Sequence, residues 1–297
     1  MADALTTFYE KQFEKNWELL DQQMDSRLKG TVQTDSFIGK RKQYNQLATR
    51  TMKEVTTRKD DTPDGDSEGS KYWIFRRKFE DVIVYDEDDQ LNLGEISLPD
   101  SDEVAQMSAS SNRVADQVII SAFDGTRYIG ENGTTTSNFD TNMSIAVNYV
   151  PSGSPANSGI TVAKILQAKK LLDENEVPQG DRYFAVSAQQ LQDMLLRTEI
   201  TSADYVAVKG LVDGSVDRFA GFKFVHTELL SLNAGTDVRT CFAWHKSGIK
   251  FAEIGRSVHI DMLPSRRHAK QIRYVYRCGA VRTQDTRIVR IYADESP

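Results

Sequence analysis

The chain has 297 residues, enough for one large domain or two ordinary ones with a real core. Its hydrophobic content of 39% and charged content of 27% are those of a globular protein on the polar side, and no window approaches the roughly 20 apolar residues that span a bilayer. A net charge of -6 excludes coating of nucleic acid by overall electrostatics, and Cys241 and Cys278 are too few for a disulfide framework, so free thiols in a reducing compartment are expected.

The opening MADALTTFYEKQFEKNW lacks a basic stretch followed by an apolar one, so it is not expected to be a secretory signal, and synthesis in a cytosol is expected. Residues 4–28 predict an amphipathic helix, with Phe13, Trp17, Leu20, Met24 and Leu28 on one stripe and Gly30 as its stop. No helix follows at once to cover that stripe, which therefore docks on something distant in sequence or on another chain. Residues 31–50 are polar and poorly periodic. Thr49 to Lys59 has strand character, the loop DDTPDGDSEGS (60–70) follows, and KYWIFRRKFEDVIVY (71–85) predicts a second strand, which together make a long hairpin.

Pro99-Asp100-Ser101 opens a helix that Gly125 ends, a rod of roughly 33 Å at 1.5 Å per residue, with Val104, Met107, Ser111, Val114, Val118 and Ala122 as its buried stripe. Residues 126–160 read as strands and loops. Thr161 caps a helix through Leu172, with Ile160 and Ile165 as a hydrophobic staple. RYFAV (182–186) is a buried strand, and Ser187 with Gln190 forms a capping box for the next helix. GFKFVH (221–226) and TCFAWH (240–245), a short segment SGIKFAEIG, and the closing strands QIRYVYRCGAVR (271–282) and TRIVRIYA (286–293) complete the chain.

Chemical motifs are missing. The sequence holds no phosphate-cradling glycine loop, no G-x-S-x-G and no H-E-x-x-H, and its four histidines share no metal-ligand spacing. The acids at 86–89 read as a solvated turn, and Cys241 as a small core residue rather than a nucleophile. No catalytic residue, metal or cofactor is expected, and the chain is read as no enzyme.

Two clusters stand out as candidate surfaces. In 71–85, Trp73, Phe75, Phe79, Ile83 and Tyr85 alternate on one face, and Tyr72, Ile74, Val82 and Val84 on the other, while Arg76, Arg77 and Lys78 charge the middle. An isolated hairpin is marginal in water. Apolar ends with a charged centre favour a hairpin lying across another subunit, over a strand of mixed exposure in the domain's own sheet. The C-terminal basic series includes Arg266, Arg267, Arg273 and Arg277. Alternation sets Arg273 and Arg277 opposite Ile272, Tyr274 and Tyr276, as a face for phosphate or for acidic neighbours, or as an ordinary solvated face.

The run KILQAKKLLDENEVPQGDRYFAVSAQQLQDMLLRTEITSADYVAVKGLVDGSVDRFAGFKFVHTELL (164–230), then TCFAWHKSGIKFAEIG, resembles a podovirus-like family of tailed-bacteriophage major capsid proteins, as does the helix ending ADQVIISAFDGT. The resemblance covers about 90 to 297, and 1–89 agrees in layout. It implies an α+β fold of the type named for phage Hong Kong 97, with 1–48 as N-terminal arm and 49–90 as extended hairpin loop. Residues 91–145 and 246–297 would form a peripheral domain with a long spine helix, and 146–245 an axial α/β domain. It further implies self-assembly as hexamers and pentamers into an icosahedral head around double-stranded DNA. Scaffolding, portal and decoration proteins are the implied partners, and no membrane is involved. Assembly in the host bacterial cytoplasm is likewise implied.

Trp73, Phe75, Arg76, Arg77, Lys78, Phe79, Phe13 and Trp17 would then make inter-subunit contacts. Some relatives fuse lysines and asparagines between subunits. Lys71 and Lys78 lie in the corresponding loop, but no motif identifies a partner. The rival readings are an encapsulin-like compartment of the same fold, a cytosolic α/β enzyme with the hairpin as lid, and an accessory tail or decoration protein.

Overall fold

The computed structural model describes residues 22–52, 54, 56, 68–85, 102–196 and 218–296. The chain divides into two compact units, one of Met1–Asp25, Lys78–Val114 and Gly255–Tyr276, the other of Ser26–Arg77, Ala115–Ile254 and Arg277–Pro297. Its strands are β1 (Gln33–Asp35), β2 (Arg41–Leu47), β3 (Gly69–Phe75), β4 (Arg77–Tyr85), β5 (Arg127–Ile129), β6 (Thr135–Ser137), β7 (Ser144–Ile145), β8 (Arg182–Val186), β9 (Arg218–Phe219), β10 (Phe222–His226), β11 (Leu232–Asn233), β12 (Val238–His245), β13 (Ile249–Leu263), β14 (Ala269–Arg282) and β15 (Ile288–Asp294). The helices are α1 (Asp102–Asp124), α2 (Val162–Glu174) and α3 (Ala188–Leu196).

The second unit is built on a mixed seven-stranded sheet in the order β7-β15-β12-β8-β10-β9, with β11 on β12. β8 is apolar because both its faces are covered: the successive residues Phe184, Ala185 and Val186 are fully buried, in a central strand that pairs antiparallel with β12 and parallel with β10. Trp244 on β12 is also fully buried, its ring 4.7 Å from that of Phe123 and its Nε1 donating to the Thr31 carbonyl at 3.1 Å. The expected cap and staple of α2 are present. The Thr161 hydroxyl accepts from Lys164 N at 3.2 Å, and Ile160 and Ile165 are buried. Lys164 is buried as well, and its Nζ donates to the carbonyls of Val147, Ser158, Gly159 and Tyr292, which fastens an irregular loop and β15 to the helix. The capping box at α3 is half made. Ser187 Oγ accepts from Gln190 N, but the Gln190 amide turns instead to Ile160 N and Glu295.

Four expectations are corrected. The first concerns the helix over 4–28: residues 1–21 lie outside the described residues, and 22–28 are not helical. Their main chain is held by the buried Asp116 carboxylate instead, which accepts from Ser26 Oγ at 2.5 Å, Arg27 N at 3.0 Å and Leu28 N at 3.2 Å. Second, the strand paired with β3 is 41–47, within the stretch read as non-periodic; of the expected 49–59, residues 49–52, 54 and 56 are not strand and the others lie outside the described residues. It carries few apolar residues because one face is wet, and Tyr44, opposite and stacked on Tyr72 at 5.4 Å, sets its register. Third, SGIKFAEIG is no short segment but the start of the fifteen-residue β13.

The fourth correction explains the mixed faces of 71–85. The segment is two strands, broken at Arg76, whose N–H closes the end of the β2–β3 ladder on the Lys40 carbonyl at 2.9 Å. β3 belongs to the sheet β2-β3-β5-β6, and β4 to the sheet β1-β13-β14-β4. Before the break Tyr72 and Ile74 are the inward residues, packed with Phe37, Ala252 and Val281; after it Phe79, Ile83, Val84 and Tyr85 are the less exposed ones, all but Val84 at odd positions. The inward face therefore changes parity at Arg76. A glycine permits the crossing, because a Cβ on Gly279 would lie 2.5 Å from the Phe75 carbonyl oxygen and 2.9 Å from Ile74 Cγ2.

At the root of the hairpin, Asp35 accepts from Lys42 Nζ at 2.8 Å and from Tyr44 Oη at 2.5 Å, and Lys250 stands 4.1 Å over the Tyr44 ring. The Lys42 hydrogen bond, followed by that of Tyr44, lowers Asp35 from 3.8 to about 2.

Two outcomes are expected. Gly279→Ala forces main chain apart and costs about 1–3 kcal/mol, read as a lowered melting temperature by calorimetry. Because the folded-state pKa of Asp35 is depressed, its stabilisation is whole above about pH 4 and is lost as pH falls towards 2. Asp35→Asn should therefore be less stable at neutral pH and lose less stability than the parent between pH 4 and 2, measured by urea unfolding at each pH.

Candidate interaction surfaces

The residues of 71–79 differ in how far their own chain has used them. Trp73 is occupied: its Nε1 donates to the Gly130 carbonyl at 2.8 Å, Arg41 lies 4.6 Å over its ring, and Gly133, with φ +67°, lies against the indole where a Cβ would come within 2.9 Å. Phe75 meets Tyr128 edge-on at 4.9 Å yet keeps 37% of its surface exposed. Arg76, Arg77 and Lys78 are exposed, with Lys78 paired to Glu80, and Phe79 is half-buried. Phe13 and Trp17 lie outside the described residues.

The basic residues near the C-terminus do not share one face. Arg266 and Arg267 are exposed at the turn between β13 and β14, where Arg267 takes φ +48°. Arg273 and Arg277 are half-buried along β14, on the face of buried Val275. Arg282 is internal, its side chain wholly covered. It donates to the carbonyls of Phe123 at 3.1 Å and Gly125 at 2.7 Å, capping the end of α1 where the carbonyl dipoles converge, and it pairs with Asp285. Burial lowers its pKa against the pull of that carboxylate. The signal was in the alternation, since Arg282 shares parity with Ile272, Tyr274 and Tyr276. Arg290 is also tied inward, to Ser144 Oγ and, at 3.5 Å, to Asp124.

A further surface escaped the sequence reading. Val258, Ile260 and Met262 occupy alternate positions of β13 and are 42%, 49% and 59% exposed. An apolar row on one strand face is the kind of surface that another protein covers.

Reaction chemistry finds little support. Cys241 and Cys278 are buried and unbridged, and burial pushes the Cys241 thiol up to about 12, far from a working nucleophile. His245 is lowered chiefly by burial, and its Nδ1 is engaged with Ser247. Among the described residues no group of His, Cys, Asp and Glu could hold a metal ion, and no helix is long and apolar enough to cross a membrane.

The model of a family described as phage capsid protein matches residues 5–295. No curated protein matches the chain. Solved structures similar in fold include the capsid of cyanophage P-SCSP1u, 14% identical with a TM-score of 0.72 over 100% of this chain and 96% of the other. The capsid of Helicobacter pylori bacteriophage KHP30 is 9% identical, with a TM-score of 0.72 over 100% and 99%. That of cyanophage Pam1 is 12% identical, with a TM-score of 0.66 over 99% and 99%. At such identities the likeness is one of fold, and it agrees with the expected α+β arrangement of Hong Kong 97 type; neither the encapsulin-like nor the enzyme reading is favoured. With nearly its whole length matched, the chain belongs to the phage capsid protein family and is a major capsid protein, a structural component of the virion shell.

Proposed function

We propose that the chain assembles as hexamers and pentamers of itself into an icosahedral head around double-stranded DNA, in the host bacterial cytoplasm, with scaffolding and portal proteins and a decoration protein as partners. The family match over 5–295 carries this reading. Within it, 1–48 is the arm, 49–90 the extended loop, 91–145 with 246–297 the peripheral domain and 146–245 the axial domain.

The surfaces left on the single chain support a division of labour. Phe75 and the row Val258, Ile260 and Met262 offer apolar area to neighbours, and Phe13 and Trp17 belong with them. Trp73 contributes by holding the Gly130 turn rather than by direct burial. Arg76, Arg77 and Lys78 set the register against acids of a neighbour, and Arg266 and Arg267 present charge at the β13–β14 turn. Packaged DNA is held without sequence preference and only through local basic residues, since the overall negative charge of the chain offers it no general attraction.

Arg76→Glu, Arg77→Glu and Lys78→Glu together are expected to leave a folded subunit by circular dichroism and to abolish closed shells by negative-stain electron microscopy. Shells of normal size and number from this variant would remove the charged segment from the assembly mechanism.

A further inference from the structure

Asn132 and Gly133 stand in the turn between β5 and β6, and they are the one Asn-Gly pair in the sequence. Asn132 is exposed, and its side-chain amide has no hydrogen-bond partner among the described residues. The Gly133 N–H likewise meets no acceptor among them. The peptide group that joins the two is polarised from one side, where Arg41 Nη1 donates to the Asn132 carbonyl at 2.9 Å. Gly133 does not tolerate a bulkier replacement, because its φ is +67° and a Cβ would come within 2.9 Å of the Trp73 indole. Packing on Trp73 thus sets the least shielded residue type directly after an unengaged amide.

These features suit attack by a main-chain nitrogen on the preceding side-chain amide. Loss of the Gly133 N–H proton to a solvent base leaves an amidate, its charge shared between Gly133 N and the Asn132 carbonyl oxygen. A cationic donor already aimed at that oxygen stabilises the charge as it develops. We propose that Asn132 is a modification site, converted without an enzyme through a cyclic imide to aspartate and isoaspartate, with Arg41 stabilising the amidate. Gly133 N bonds to Asn132 Cγ, the Cγ–Nδ2 bond breaks, and Nδ2 leaves as ammonia with protons taken from water. Water then adds to either imide carbonyl. Opening the ring on one side gives aspartate, and on the other isoaspartate. The net reaction consumes water and releases ammonia, with no oxidant or reductant.

Asparagines before other small residues lack this combination. Asn157 precedes Ser158, whose N–H is held by the Val147 carbonyl at 3.2 Å. Asn233 precedes Ala234, and its side-chain oxygen already accepts from Gly235 N at 3.0 Å. The products at 132 bear on the neighbouring strand. Isoaspartate routes the main chain through the former side chain and lengthens the turn by a methylene, just where Gly133 lies against the Trp73 ring. The bond from Trp73 Nε1 to the Gly130 carbonyl, in the same turn, is loosened with it. Either product also sets a new carboxylate beside Glu131, the partner of Lys71.

Peptide mapping tests the assignment. The purified full chain is aged at neutral and at mildly alkaline pH, digested, and read by mass spectrometry, with isoaspartate scored by enzymatic methylation. Conversion is expected at Asn132 ahead of Asn157 and Asn233, faster at the higher pH, and absent from Asn132→Gln, whose longer side chain does not close the same ring. Arg41→Gln, checked as folded by circular dichroism, should slow conversion about tenfold, less than loss of an enclosed donor because Arg41 is exposed. Arg41→Lys, which keeps a charged donor, should restore most of the rate. A purely bracing role for Arg41, through the Trp73 ring that it covers, predicts the opposite, since its loss would free the turn and speed the reaction. Asn132 left intact throughout, or converted no faster than Asn157 and Asn233, would overturn the site. An unchanged or faster rate in Arg41→Gln would overturn the part given to Arg41.

Discussion

The absence of a side chain at Gly279 is the constraint on which the arrangement of 69–85 depends. The Phe75 carbonyl passes so close to that position that any Cβ would push main chain against main chain. Because the crossing is allowed, the segment can leave one sheet at Arg76 and enter another, and its inward face changes from the even positions Tyr72 and Ile74 to the odd positions Phe79, Ile83 and Tyr85. The basic residues fall at the change-over, where neither sheet needs an apolar side chain. Arg76 and Arg77 are thereby left exposed.

Much of the chain outside the sheets is secured by buried charged groups that serve main-chain atoms. Asp116 accepts the N–H groups of Arg27 and Leu28, Lys164 gathers four carbonyls, and Arg282 closes the end of α1. Glu295 instead joins side chains near the C-terminal end, accepting from Ser187 Oγ, from Gln190 Nε2 and, with both oxygens, from Arg239 Nε. Each supplies partners to a backbone or polar segment that no strand ladder reaches, in surroundings where an unmet polar group is costly.

How much was legible depended on whether the deciding partner was near in sequence. The cap of α2 needs only Thr161 and Lys164, and the apolar run 182–186 announces a strand covered on both faces; both are found as expected. The strand at 41–47 was missed because a half-wet strand of RKQYNQL carries no period of its own and takes its register from Tyr72. Arg282 has inward parity, but a buried arginine is recognised only by the carbonyls it meets. Among the candidate interaction residues, the sequence separated Trp73 from Phe75 no better, since what distinguishes them is the Gly130–Gly133 turn that occupies one and not the other.

By itself the sequence determined the elements whose signals are local: the long rod of α1, the capped α2, the buried β8, and an overall composition with no catalytic or metal-binding pattern. It also carried the family likeness, because that likeness resides in local runs such as 164–230. Which sheet each strand joins, where 69–85 breaks and which arginines turn inward were decided only by tertiary structure. The physical reason is that these depend on contacts such as Phe75 with Gly279 and Phe123 with Arg282, between residues far apart along the chain, whose individual identities reveal nothing until the fold brings them together.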